Sequence, residues 1–311
     1  MRFAFCLARG VLPEYFSKFS RHDFTLPQLF ACLVVREQQR KSYRDVEALL
    51  RDAPQWCRHI GMNKVPDHNT LCRAFHALNL GRRAGKLLDR VTQWFAIARQ
   101  LGTVVALDSS LYDTRYRSRH YEQRCRHYAS SSSSSSSSSQ KSSANARRSR
   151  TARQAAKLAV GVCTRSHLIC AARVRTGFGS DCRDFEPLLF DAWRRHPRLR
   201  TVLADAGYDS EANHRIARHD MNVQSFIKTG IGRPSKKPPS GYYRRIMSKR
   251  LRGSQRGKKY GQRAQAETVN SMLKRNLGDA LRARSPRARR NEQLLRVLTH
   301  NIALLCDEME G

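Results

Sequence analysis

Apolar residues recur three and four positions apart in LPQLFACLVVREQQ, SYRDVEALLRDAPQW and TLCRAFHALNL, so residues 25 to about 100 read as helices. Asp45 and Glu47 stand at the front of the second helix, Pro54 marks its end, and VPDHN is turn chemistry with Asp67 or Asn69 as the next N-cap. Three short helices with a tight turn before the last outline a helix-turn-helix, and the same pattern fits a plain helical bundle. Past residue 101 the pattern changes to short β-branched runs. TVVALDSS, LAVGVCT and LICAARVRTG predict three strands, the last two joined by RSH. DFEPLLFDAWRR is an amphipathic helix, TVLADAGYDS a strand ending in Asp, EANHRIARHD a helix and VQSFIKT a strand, before a terminal helical region. This order predicts a mixed α/β sheet covered by helices. Residues 1–100 thus form an expected helical region and 101–311 an expected α/β domain.

Two segments interrupt the pattern. Ten consecutive serines, Ser130 to Ser139, lead into QKSSANARRSR; with nothing apolar to bury, about 129–150 is expected to be a disordered loop. The stretch GIGRPSKKPPSGYYRRIMSKRLRGSQRGKK predicts a second, basic loop over about 230–259, whose cations suit a phosphate backbone.

Charge narrows the function. Lys and Arg total 59 against 25 acids, a formal net charge of +34 over 311 residues. Such an excess repels itself unless an anionic partner offsets it, and nucleic acid is the commonest. No apolar run approaches the ~18 residues of a membrane span. MRFAFCLARG is too short for a signal peptide, so a cytoplasmic location is expected. Nine scattered cysteines without a C-x-x-C fit reduced thiols rather than a disulfide framework. His120, Cys125 and His127 lack a second cysteine at zinc-ligand spacing.

Against this background the acids are informative. Between Ile231 and Arg290 there are 19 Lys or Arg and only two acids, Glu267 and Asp279. At about 100° per residue, Tyr260, Arg263, Glu267 and Lys274 share one helical stripe about 60° wide, with Val269, Leu273 and Leu277 on the far side. An exposed i,i+4 pair of Arg263 with Glu267 accounts for part of the stripe, though not for the aligned tyrosine. Asp108 and Asp205 each follow a strand-like run and precede small residues, which suits the rim of a sheet, where ligand sites cluster. Three carboxylates gathered together repel unless a cation joins them, and Mg2+ takes such oxygen ligands. Asp113 and Asp209 are the competing positions; Asp113 falls beyond the first strand and Asp209 is read as a helix cap. Asp181, Asp184 and Glu186 surround a helix start, where the dipole favours acids, and are read as structural.

At these residues the chain resembles the DDE transposases of bacterial insertion sequences, in the branch marked by Y-x2-R-x3-E-x6-K. Tyr260, Arg263, Glu267 and Lys274 match that motif at every spacing, and ALDSS and VLADAGYDS look like the segments bearing the family's two aspartates. The resemblance covers about residues 25–305: SYRDVEALLR and VPDHNTLCRAF are similar to the family's helical DNA-binding region, which implies that role for residues 1–100, and LRARSPRARRNEQLLRVLTHNIALL is similar to its tail. It implies a ribonuclease-H-like catalytic domain with Asp108, Asp205 and Glu267 as catalytic residues holding two Mg2+ or Mn2+ ions. It also implies Tyr260, Arg263 and Lys274 as contacts to double-stranded DNA. The activity implied is hydrolysis at transposon ends and strand transfer into target DNA, by a homodimer that pairs two ends. A catalytically inactive or repurposed DNA-binding protein and a nuclease without strand transfer are the alternatives.

Overall fold

The computed structural model describes residues 1–114, 155–177, 179–230, 238–252 and 257–310; the serine tract and the His120–His127 segment lie outside them. The N-terminal region is helical: α1 (Arg2–Arg9), α2 (Leu26–Gln38), α3 (Tyr43–Asp52), α4 (Pro54–Arg58), α5 (His68–Ala77) and α6 (Leu80–Ile97). Local sequence explains the starts. Thr25 and Gln28 form a reciprocal capping box at α2, and Ser42 and Asp45 form another at α3. Asp67 accepts from the amides of Asn69 and Thr70 and caps α5. Glu47 on α3 accepts from the His68 amide at 2.8 Å, which fixes the start of α5 against α3.

The sheet follows. β1 (Val104–Thr114), β2 (Ala156–Cys163), β3 (Ile169–Thr176), β4 (Thr201–Ala204) and β5 (Gln224–Ile227) lie in the order β3-β2-β1-β4-β5, and β6 (Ala280–Leu281) pairs with the end of β1. β1–β2 and β2–β3 are antiparallel, whereas β4 and β5 run parallel to β1. Both faces are covered, as near-continuous apolar strands require. Val105, Leu107, Val202, Ala204 and Ile227 share one cluster with Phe185, Leu188 and Leu189 of α7 (Cys182–Arg195). The alternate residues Val104, Ala106, Leu203 and Phe226 join a larger cluster with α11 (Ala264–Leu277) and α12 (Pro286–Glu310). That cluster continues into α1, α2, α5 and α6, so the N-terminal helices and the sheet share one core. The six-stranded mixed sheet flanked by helices, with a helical region before it, is the ribonuclease-H-like arrangement the sequence predicts.

Three details depart from expectation. Asp108 is not at the end of its strand, because β1 continues to Thr114. The stretch read as a basic loop contains α9 (Tyr242–Arg252) and the short α10 (Gly257–Gly261). Asp209 does not cap α8 (Glu211–Arg215); it takes Arg244 of α9 at 2.9 and 2.7 Å, while Glu211 accepts from the Tyr243 and Arg244 amides. Two acids beyond β4 thus hold the start of a basic helix. No helix among the described residues is long and apolar enough to cross a membrane.

Candidate functional site

The parallel pairing of β1 with β4 ends at Leu107 opposite Ala204. Asp108 and Asp205 are the residues that follow this last pair, so they stand side by side at the same level of the sheet, with backbones about 5 Å apart. The first aspartate therefore sits where the parallel part of the sheet stops, although its own strand goes on. Asp113, five residues further, lies about 17 Å along the strand and is too distant to join them; it pairs instead with Ala280.

Asp108 faces α11. The Asn270 side-chain amide donates to its Oδ2 at 2.9 Å. Burial raises the pKa of Asp108, the Asn270 amide lowers it, and the charge of Asp205 raises it again, for a net upward shift. Asp205 accepts from the Gly207 amide at 2.9 Å, capping the 3-10 turn Ala206–Tyr208. Its pKa is also raised, chiefly by burial and then by the neighbouring charges of Asp181 and Glu267 against the pull of Gly207 and Arg263. Two half-buried carboxylates that resist ionisation beside each other are a place for a cation.

Glu267 lies in the first turn of α11 and is 54% exposed at its side chain, where it takes Arg263 at 2.5 Å. Among the described residues no three His, Cys, Asp or Glu side chains are gathered closely enough to hold a metal. The two aspartates are brought together, and the glutamate stands on the overlying helix, turned to its arginine. Donor chemistry nevertheless suits a hard cation. All three groups are carboxylates, and the buried Oδ1 of Asn270 has no hydrogen-bond partner while its amide nitrogen holds Asp108.

The basic residues of the stripe divide between two helices. Tyr260 belongs to α10 and Arg263 is the N-cap of α11, so the stripe is broken before Ala264. Tyr260 still reaches the site, because its hydroxyl donates to the Ala204 carbonyl at 3.3 Å, next to Asp205. Lys274 lies two turns beyond Glu267, its Nζ 5.3 Å from the Tyr112 ring centre on β1. Val269, Leu273 and Leu277 bury on the far side, as their spacing predicts.

Sequence reasoning passed over two residues. Asn270 falls between the exposed and apolar sides of α11, and its only signal is a poor helix former in a good helix. Asp181 precedes α7, where a dipole role is the default. Its carboxylate instead makes no cap bond and turns to Ser109, the residue after Asp108. Asp184 does follow the structural reading, buried against Arg175.

A family model described as transposase DDE domain matches residues 99–302. Comparison with curated proteins and with solved structures gives no match. The matched span runs from just before β1 into α12 and holds both aspartates and Glu267, so the chain belongs to the DDE-domain transposase family.

Proposed function

We propose that this transposase cleaves DNA at transposon ends and joins the freed 3′ end to target DNA, through a site made by Asp108, Asp205 and Glu267. The observation that carries the reading is that Asp108 and Asp205 stand side by side where the parallel pairing of β1 with β4 ends, with Asn270 of the Glu267 helix bonded to the first. Asp108 and Asp205 supply oxygen ligands from the sheet, and Glu267 supplies the third from α11. Its bond to Arg263 is no obstacle, since an ion pair this exposed is worth about 0.2–1 kcal/mol. Once bound, a pair of Mg2+ or Mn2+ ions supplies activation of the attacking oxygen and stabilisation of the leaving one. Arg263, released from Glu267, is a natural clamp for a phosphate, bidentate where Lys274 acts as a point charge. Tyr260 orients the strand beside Ala204. Pairing of two ends calls for a homodimer on double-stranded DNA, in the branch bearing the Y-x2-R-x3-E-x6-K motif.

A second reading, DNA binding without catalysis, draws on the Arg263–Glu267 pair and on the lack of a closed ligand set among the described residues. A strand-transfer assay with Mg2+ and end DNA separates the two. Joined product that disappears in Asp108→Asn, Asp205→Asn and Glu267→Gln, with DNA binding retained, supports catalysis. Tight DNA binding with no cleavage by the unmodified protein supports the second reading.

A further inference from the structure

Asp181 occupies a position that the three-carboxylate site does not use. Its backbone carbonyl accepts from the Asp184 amide at 2.8 Å as α7 begins, but its side chain does not cap the helix. Oδ1 instead accepts from the Ser109 hydroxyl at 2.6 Å and lies 2.5 Å from Nζ of Lys157 on β2. Ser109 directly follows Asp108, and alternation along the strand sends the two side chains to opposite faces of the sheet. Asp181 therefore grips β1 from behind Asp108. Lys157 is 8% exposed at its side chain, and its Nζ also donates to the Gly179 carbonyl at 2.6 Å, which fixes the loop that carries Asp181.

The other oxygen faces the turn after β4. A Cβ added at Gly207 would stand 2.9 Å from Oδ2 of Asp181 and 3.0 Å from Oδ1 of Asp205. Both carboxylates fill the space that a side chain at this glycine would need. One aspartate thus touches the strand that bears Asp108 and the turn that bears Asp205. Lys157 lies against Oδ1, so Oδ2 is the oxygen that extends negative potential toward Asp205.

We infer that Asp181 is a positioning residue that fixes the spacing of Asp108 and Asp205 and strengthens their hold on a divalent cation. The inference rests on the metal-site reading given above. Asp181 acts here as a carboxylate tether, one step outside the ligands, where loss of a partner typically weakens metal binding by about 10–100-fold.

The test is Mn2+ binding to the full chain without DNA, followed by electron paramagnetic resonance of the free ion, with Asp108→Asn as reference. Asp181→Ala, which removes tether and charge, is expected to weaken binding by about tenfold or more, and Asp181→Asn, which keeps an acceptor for Ser109, by a smaller factor. In end cleavage the half-saturating Mg2+ concentration should rise by a similar factor. If Asp181→Ala does not fold, the near-isosteric Asp181→Asn, checked by circular dichroism, decides alone. Binding by folded Asp181→Asn equal to the unmodified protein, with Asp108→Asn defective, overturns the role of Asp181 and leaves the metal site standing. An unmodified protein that binds no Mn2+ overturns both.

Discussion

Asn270 holds Asp108 with its amide nitrogen while its buried Oδ1 goes without a partner. A side chain kept for stability alone would satisfy both ends, because an orphaned buried polar atom costs about 1–3 kcal/mol. Asn270→Ala should therefore lower DNA cleavage by about 10–100-fold while leaving the urea midpoint nearly unchanged, since it removes an orphan along with a bond. Single-turnover cleavage and urea titration of the same preparation check both halves. Gly207→Ala should behave differently: two short carboxylates must give way to its methyl, costing about 1–3 kcal/mol of stability as well as activity. At this scale the sequence is legible where chemistry follows spacing. The proposed site residues Tyr260, Arg263, Glu267 and Lys274 were picked out by interval, and Asp108 and Asp205 by strand pattern. Asn270 and Asp181 gain their meaning only from partners 162 and 72 residues away, which no local pattern records.

Among the elements, α12 carries the connections between the sheet and the N-terminal helices. Arg296 is buried on it and donates to Glu292 at 2.8 Å and to the carbonyls of Gly278 and Ala280 at 2.7 and 2.9 Å, while Glu37 of α2 lies 3.5 Å away. The same guanidinium therefore fixes the turn that ends α11 and an acid from the N-terminal region. Arg296→Met leaves Glu37 and Glu292 short of a buried partner and should cost about 3–5 kcal/mol in urea unfolding. His300, nearly three turns before the helix end, bonds the His167 carbonyl through Nε2 at 3.1 Å. Burial lowers its pKa from 6.5 to about 4. The unfolded chain takes up that proton first, so this contribution is complete above pH 6.5 and is lost as pH falls toward 4. His300→Gln should accordingly reduce the loss of stability between pH 7 and 5 by about 2 kcal/mol relative to the unmodified protein, measured by denaturant titration at each pH. The strands were readable as short, nearly continuous apolar runs, and most helices because one face of each is apolar. α9 was not, since YYRRIMSKRLR hides Met247 and Leu251 among five basic residues and has its start held by Asp209 and Glu211 from another part of the chain.

For the molecule as a whole, charge and core answer different questions. The helical region and the sheet share one hydrophobic cluster, so the composition change near residue 101 marks a change of architecture and no break in packing. The charge of +34, with 19 Lys or Arg between Ile231 and Arg290, was fully visible in the sequence and sets the expected partner. What composition could not reveal is where the few acids in that region go: Glu267 meets Arg263, and the neighbouring acids Asp209 and Glu211 hold α9. Each carboxylate so engaged is withdrawn from the basic surface, leaving Arg245, Lys249 and Arg250 exposed on α9. Phosphate contacts of this kind displace condensed counterions. Affinity for end DNA should then fall by about 10³ or more between 50 and 200 mM salt, with a linear log–log dependence, if about six or more phosphates are neutralised. Replacing Arg245 and Lys249 together by Ala should lower that slope by about two and weaken specific and non-specific DNA alike, because phosphates carry no sequence. Fluorescence anisotropy across a salt series, with end DNA and scrambled DNA in parallel, measures both. An unchanged slope in the double variant would remove α9 from the DNA surface, and a flat dependence in the unmodified protein would mean that its charge serves some purpose other than holding a phosphate backbone.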